Sequence, residues 1–342
     1  MKGRKILAAV FSAVIAFVVV YTMFTHKTRY YTAFYDVFDT YSEVTVYAGS
    51  KKQADNAIKK LHTELLRLNQ LYDIYNNYDG INNLKTVNDN AGKQPVAVDK
   101  DIMELLELSV KAYNETDGAV NPAMGSVLSL WHNARETAIE NPQKAQIPTL
   151  DELKKAGEHM DINCLVLNRE KGTVYISDSE ASVDVGAIAK GYAADKAVES
   201  LKASGIENAL INLGGNVVAV GTMPDGKEWG IGIRNPDEQG DSVAKISTSD
   251  GSVVTSGDYQ RCFEVNGKIY NHIIDKNTLM PSERYRSVTI YAKNSAQADI
   301  LSTALFVLPE KEGDEIAEKY GAKVCRIYPN GEIKGDKVFD ID

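Results

Sequence analysis

Hydrophobic residues recur with a period of 3.6 in some segments of this chain and of 2 in others, and the two never settle into strict alternation. Apolar residues at Ala54, Ile58, Leu61, Leu65, Leu68 and Leu71 form one helical stripe and predict a helix over 52–71. Ile102, Leu105, Leu106, Val110 and Tyr113 predict a second over 101–114. Further helices are expected at 150–157, 193–203, 296–307 and 312–320. Strand patterns fall at 43–47, 209–213, 217–220, 229–233, 252–256, 262–265, 268–274, 286–291, 323–327 and 337–339, while 174–176 and 181–184 read as a strand pair around a turn. Several neighbouring strands are joined by only a few turn residues. That favours an α+β fold over a doubly wound parallel sheet. No repeat with a period of roughly 20–50 residues is visible, which argues against a solenoid. With 342 residues the chain can bury a large core without staples.

The N-terminus reads differently from the rest. Residues 6–24 contain no charge and are dominated by Ile, Leu, Val, Ala and Phe. As a helix, at ~1.5 Å per residue, the run would be about 28 Å long, close to the hydrocarbon thickness of a bilayer. Lys2, Arg4 and Lys5 precede it, as a cytoplasmic start requires. Its end offers no small-x-small cleavage site. The expectation is a cytoplasmic stub and single-pass signal-anchor transmembrane helix over 1–30, placing the chain in the cell membrane. One domain over 31–342 then lies outside the cytoplasm.

Charge and cysteine content exclude some functions. The net charge is -9, but the first 30 residues carry +5, so the remainder carries -14. Such a body makes a poor nucleic-acid partner, because phosphate must be met by Lys and Arg. An anionic small molecule would need local help from a metal or a focused lysine. The three cysteines, Cys164, Cys262 and Cys325, form no C-x-x-C, so neither a disulfide framework nor a structural zinc site is expected.

Four segments carry candidate chemistry. Residues 184–192 (DVGAIAKGY) link a strand to a helix. Gly186 permits close approach of a ligand, and Lys190 with the helix-start amides could meet phosphate, although on these residues alone a tight turn with a surface lysine is the preferred reading. Asn212-Leu213-Gly214-Gly215 reads as a hairpin turn that a flat ligand could also approach. His272 is the one histidine at an expected strand end. It could take a proton from a hydroxyl, or it could be structural; Asp275, three residues on, would face away in a continuous strand. Asp299 and Thr303 stand at i and i+4 of an apolar helix, a carboxylate and a hydroxyl on one face. They suit Mg²⁺, but on these residues alone a helix cap with a back-bonded threonine is the preferred reading.

Taken together and in order, these segments resemble the FAD:protein FMN transferase (ApbE) family of flavin transferases. The matches are 184–195 (DVGAIAKGYAAD), 212–215 (NLGG), 255–259 (TSGDY), 272–275 (HIID), Ser287-Val288-Thr289 and 298–306 (ADILSTALF), with 117–122 (DGAVNP) and Leu130-Trp131 resembling another family segment. The likeness runs from about Tyr35 to the end. It implies a T-fold-related α+β domain of mixed sheets packed with helices. It also implies an activity: Mg²⁺-dependent cleavage of the FAD pyrophosphate, transfer of FMN to a Thr or Ser hydroxyl of an acceptor flavoprotein, and release of AMP. By the same resemblance the Ala187 carbonyl, Asp299 and Thr303 would hold Mg²⁺, Asp184 and Lys190 would hold FAD, and Ala119, Val120 and Asn121 would line the flavin site with Phe38 and Ile274. His272 would be the base. A tyrosine, Tyr75 or Tyr78, would contact the flavin. An FAD pyrophosphatase and a non-catalytic flavin carrier are the competing readings. The chain departs from the family pattern at Phe38-Asp39-Thr40, where Met-Gly-Thr is usual, and at Lys276 and Leu279, where Pro and Gly are usual.

Overall fold

The computed structural model describes residues 27–237, 240 and 242–341. The expected membrane anchor therefore lies outside the described residues, among which no helix is long and apolar enough to cross a membrane. In chain order the elements are β1 (Thr28–Val37), β2 (Thr40–Ala48), α1 (Lys51–Tyr72), α2 (Leu84–Asp89), β3 (Val96–Ala97), α3 (Lys100–Glu115), α4 (Gly125–Glu140), α5 (Leu150–Gly157), β4 (Leu165–Asn168) and β5 (Thr173–Ile176). There follow α6 (Ala189–Ala203), β6 (Ala209–Leu213), β7 (Asn216–Val220), β8 (Trp229–Arg234), β9 (Ser242–Thr248), β10 (Gly251–Gly257), β11 (Phe263–Val265) and β12 (Lys268–Tyr270). The chain closes with β13 (Ser287–Ala292), α7 (Ser295–Val307), α8 (Glu310–Lys319), β14 (Lys323–Ile327), β15 (Ile333–Gly335) and β16 (Asp340–Ile341).

An eight-stranded sheet in the order β1-β2-β6-β7-β10-β13-β14-β15 organises the molecule. All its strand pairs are antiparallel, so the expected mixed sheets are corrected: short hairpins join β1 to β2 and β6 to β7, and a tight turn reverses a strand by construction. One face carries α1, α6 and α7. The stripe that predicts α1 is what it buries, with Ala54, Leu61, Leu65 and Leu68 fully covered, and Ser50 caps its start by accepting the Gln53 N–H. The other face is covered over β7, β10 and β14 by the small sheet β16-β9-β8, through Ile231, Ile233, Ala244 and Ile246 against Val253 and Cys325.

Four local expectations change. Residues 337–339 form a turn rather than a strand, between β15 ending at Gly335 and β16 starting at Asp340. Residues 181–184 do not pair with 174–176; β5 pairs with β3 and β4, and 181–184 makes only a bridge from Ser182 to Met124. The strand expected over 268–274 ends at Tyr270, because the Asn271 side chain accepts the Ile273 N–H and turns the backbone. And β1 begins at Thr28, so the domain's first strand crosses the expected start at residue 31.

Candidate functional site

The α6–α7 contact sets the floor of the site. Gly191 lies against α7 so closely that a Cβ there would fall 2.4 Å from the Ser295 carbonyl oxygen and 2.6 Å from the Asp299 Cβ. One turn on, Asp195 accepts the N–H groups of Ser295 and Ala296 at 2.8 and 2.9 Å and so caps the start of α7 from the neighbouring helix. Gly191 and Asp195 stand at i and i+4, which explains their spacing within the DVGAIAKGYAAD segment.

This contact buries Asp299 to 3 % exposure. Its Oδ2 accepts the Gly191 N–H at 2.8 Å, and Lys190 Nζ stands 3.7 Å from Oδ1. Ile188 is the N-cap of α6, so the Gly191 N–H belongs to the first turn, whose amides have no partner within the helix, and Asp299 supplies one. The Ala187 carbonyl lies in the loop just ahead of that cap. Burial pushes the Asp299 carboxyl above the usual carboxylate range, opposed by Lys190 and the Gly191 N–H. Asp299 does not cap its own helix; Asn294 does. Thr303 Oγ1 lies 3.4 Å from Ser256 Oγ, on β10.

Above this floor opens a cleft of about 930 Å³. Every residue that the sequence nominates for the site lines it: Phe38, Tyr75, Tyr78, Ala119, Val120, Asn121, Asp184, Ala187, Lys190, His272, Ile274, Asp299 and Thr303. The wall near residue 119 follows α3, where Thr116 Oγ1 accepts the Val120 N–H and Asn121 Nδ2 donates to the Met160 carbonyl. Asp184 holds the loop before α6 by accepting the Gly186 N–H at 2.7 Å, and burial raises its carboxyl. The Gly214-Gly215 turn is both a hairpin and a cleft wall. Both glycines have positive φ, and a Cβ on Gly214 would sit 2.2 Å from Thr40 Oγ1. The facing turn, Phe38-Asp39, also has positive φ at both residues (55° and 48°), the hairpin geometry that glycine or asparagine usually supplies.

His272 projects from the irregular segment after β12. It is open to solvent within the cleft but surrounded by its walls, and these, with the positive charges of Arg261 and Lys190, hold its imidazole well below the usual value. Its Nδ1 lies 3.1 Å from the Gln260 carbonyl oxygen, which can only accept. The neutral ring therefore carries its proton on Nδ1 and presents the Nε2 lone pair to the cleft. Asp275 does not join it: its carboxylate accepts the Asn277 N–H in the following turn, and Lys276 Nζ donates to the Asp117 carbonyl.

The two candidate tyrosines differ. Tyr75 is half exposed and stacks on His132 at 4.4 Å with an interplanar angle of 24°, whereas Tyr78 donates to Asp73 at 2.7 Å. His132, Arg135, Arg234 and Arg261 also line the cleft and were not read from the sequence. Only the Trp131-His132-Arg135 spacing on α4 hints that two polar residues there share a face.

No cluster of three or more His, Cys, Asp or Glu that could hold a metal occurs among the described residues. The set here is instead one carboxylate, one hydroxyl and one carbonyl. All are hard oxygen donors of the kind Mg²⁺ takes alongside water and phosphate oxygens. A buried carboxylate whose Oδ1 has only a lysine at 3.7 Å, and a loop carbonyl just ahead of α6, fit such a cation.

An antiparallel α+β domain thus brings a buried carboxylate, the lysine beside it and a neutral histidine to one cleft, and the enzymes it is similar to are flavin transferases. The chain belongs to the ApbE family, whose model matches residues 38–326. It is 36% identical over 267 residues to the FAD:protein FMN transferase of Treponema pallidum, covering 73% of this chain and 72% of that one. To the FAD:protein FMN transferase of Haemophilus influenzae it is 33% identical over 236 residues, covering 68% and 67%. The crystal structure of the ApbE protein of Thermotoga maritima superposes with a TM-score of 0.80 at 27% identity, covering 91% of this chain and 97% of that one.

Proposed function

We propose that this chain transfers FMN from FAD to a Thr or Ser hydroxyl of an acceptor protein and releases AMP. The observation that carries the reading is the meeting, in one cleft, of the Asp299–Lys190 floor with a histidine whose Nε2 is free. The flavin half of FAD would lie along Phe38, Ala119, Val120, Asn121 and Ile274, with Tyr75 the better placed of the two tyrosines to stack on it. Asp184 and Lys190 would hold the substrate at its ribityl and diphosphate portions.

The acceptor oxygen attacks the phosphorus of the FMN half. A P–O bond to the acceptor forms, the bond to the AMP phosphate breaks, and the hydroxyl proton passes to His272 Nε2. An imidazole held far below neutrality is a weak base; desolvation by the cleft walls is the larger cause, and the incoming diphosphate offsets the second, the Arg261 and Lys190 charges. Ala187, Asp299 and Thr303 would hold Mg²⁺, which neutralises charge on the diphosphate and on the departing AMP. The acidic body makes that neutralisation the more necessary. The uncharged run at 6–24 behind Lys2, Arg4 and Lys5 supports a membrane anchor with the catalytic domain outside the cytoplasm.

Incubating the full chain with FAD, Mg²⁺ and candidate acceptor proteins tests the reading. A mass gain of one FMN on the acceptor, matched by AMP, supports it. Free FMN with AMP would make the chain a pyrophosphatase, and unchanged FAD would make it a carrier.

A further inference from the structure

The β8–β9–β16 layer covers the second face of the main sheet from β7 to β14 and meets β2 where Tyr47 packs on Trp229 at 5.9 Å. Beyond it, on the same face, stand Tyr31, Tyr35 and Tyr41, with exposures of 51, 75 and 44%. Ala33 opposes Glu43 and Tyr31 opposes Thr45, so odd-numbered residues point outward as far as the bulge between Phe34 and Val37, beyond which Val37 turns inward. Tyr35 sits in that bulge and is placed on the same face by its ring contact with Tyr41. The rings are not loose. The Tyr31 and Tyr41 hydroxyls lie 2.6 Å apart, both reach Glu43 Oε2 at 3.0 and 3.1 Å, and the Tyr35 and Tyr41 rings lie 5.3 Å apart. Tyr41 also lines the catalytic cleft, next to the Phe38-Asp39 turn.

We propose that the tyrosine face of β1–β2 is the docking surface for the acceptor protein, seating the chain segment that carries the target hydroxyl at the mouth of the cleft. This inference rests on the function proposed above, because a protein substrate must present its hydroxyl inside a cleft that FAD also occupies. The face is continuous with that cleft through Tyr41. Tyrosine gives large contact area with few rotors to freeze, and hydrogen bonds to Glu43 have already fixed two of these rings. Protein-binding surfaces are enriched in this residue and depleted in lysine, and the patch holds no lysine. A lipid surface is the competing occupant, since β1 follows the uncharged N-terminal run. Glu43 within the patch and Asp39 at its rim oppose an anionic leaflet, and the Tyr35–Tyr41 end lies at the cleft, away from Thr28.

The test compares the full-length wild type with a Tyr31→Ser/Tyr35→Ser variant. Both are assayed in detergent for FMN transfer to a folded acceptor, identified by its FMN mass gain, and to a short peptide copied from around its labelled residue. Flavin fluorescence on FAD titration reports folding and cofactor-site integrity. The expected result is an unchanged FAD affinity, a KM for the folded acceptor raised about tenfold, and unchanged transfer to the peptide. Equal KM for the folded acceptor in the two proteins overturns the proposal. So does a deficit seen only in phosphatidylcholine–phosphatidylglycerol vesicles and absent in detergent, which would assign the face to lipid. If the wild type labels no acceptor at all, the functional reading itself fails, and that outcome is distinct from the other two.

Discussion

The Asp299 carboxylate accepts the Gly191 N–H, an otherwise unpartnered amide of the first turn of α6, at 2.8 Å. That one hydrogen bond ties α6 to α7 and fixes the carboxylate of the candidate cation site. Gly191→Ala should be severe: its methyl would meet the Ser295 carbonyl at 2.4 Å, a backbone contact that cannot yield. Prying the helices apart costs about 1–3 kcal/mol or more. The expected outcome is a lowered melting temperature together with loss of Mg²⁺-dependent stabilisation, read by thermal denaturation with and without the ion. A variant with wild-type melting and an intact Mg²⁺ response would refute the arrangement.

Asp299→Ala should abolish turnover, since the proposed Mg²⁺ ligand set of Ala187, Asp299 and Thr303 then loses its carboxylate. Asp299→Asn separates charge from shape. It can keep the Gly191 hydrogen bond and removes a buried charge whose ionisation burial disfavours. The metal-free variant should melt at or above the wild-type temperature, while added Mg²⁺ should no longer raise it. A preserved Mg²⁺ shift would remove Asp299 from the ligand set.

His272→Ala should slow FMN transfer by roughly 10²–10⁴-fold if the imidazole takes the acceptor proton. An unchanged rate would reject that role. In the free enzyme its ring should stay neutral from pH 8 down to about pH 5, followed by NMR, because burial and the Arg261 and Lys190 charges disfavour the proton. An unfolded histidine binds that proton near pH 6.5, so this group costs stability as pH falls below about 6.5 and costs nothing above it. Bound FAD should raise the pKa towards neutrality. Ordinary titration near 6.5 in the free enzyme would contradict the account.

Tyr75→Ala should weaken FAD binding about tenfold, since an exposed ring already stacked on His132 offers a face to a flat ligand. Tyr78→Phe should leave affinity nearly unchanged, because it loses only the bond to Asp73. Fluorescence titration distinguishes the two; the reverse order would move the flavin contact to Tyr78.

Much of this was legible because helices and hairpins are local. The α1 stripe and the 209–213 and 323–327 strands follow from period and flanking glycines alone. The segments that were not read have mixed patterns: β1 alternates tyrosines with small and charged residues, and α4 buries few of its residues. In the site, Asp299, Lys190 and His272 were visible as residue types in suggestive positions, but their meeting depends on close contact at Gly191, which no spacing rule reveals. Arg135 and Arg261 escaped notice because they reach the cleft from an irregular loop and a weakly patterned helix. The turn after His272 shows the same limit: Lys276 departs from the family pattern yet finds the Asp117 carbonyl across the cleft wall.

A crystal structure of the enzyme with FAD and Mg²⁺ tests the central claim most directly. The account predicts one cation bound by the Ala187 carbonyl, Asp299 and Thr303 and by diphosphate oxygens, with His272 Nε2 facing the phosphorus of the FMN half. Diphosphate bound away from Asp299, or a His272 ring turned from that phosphorus, would contradict it.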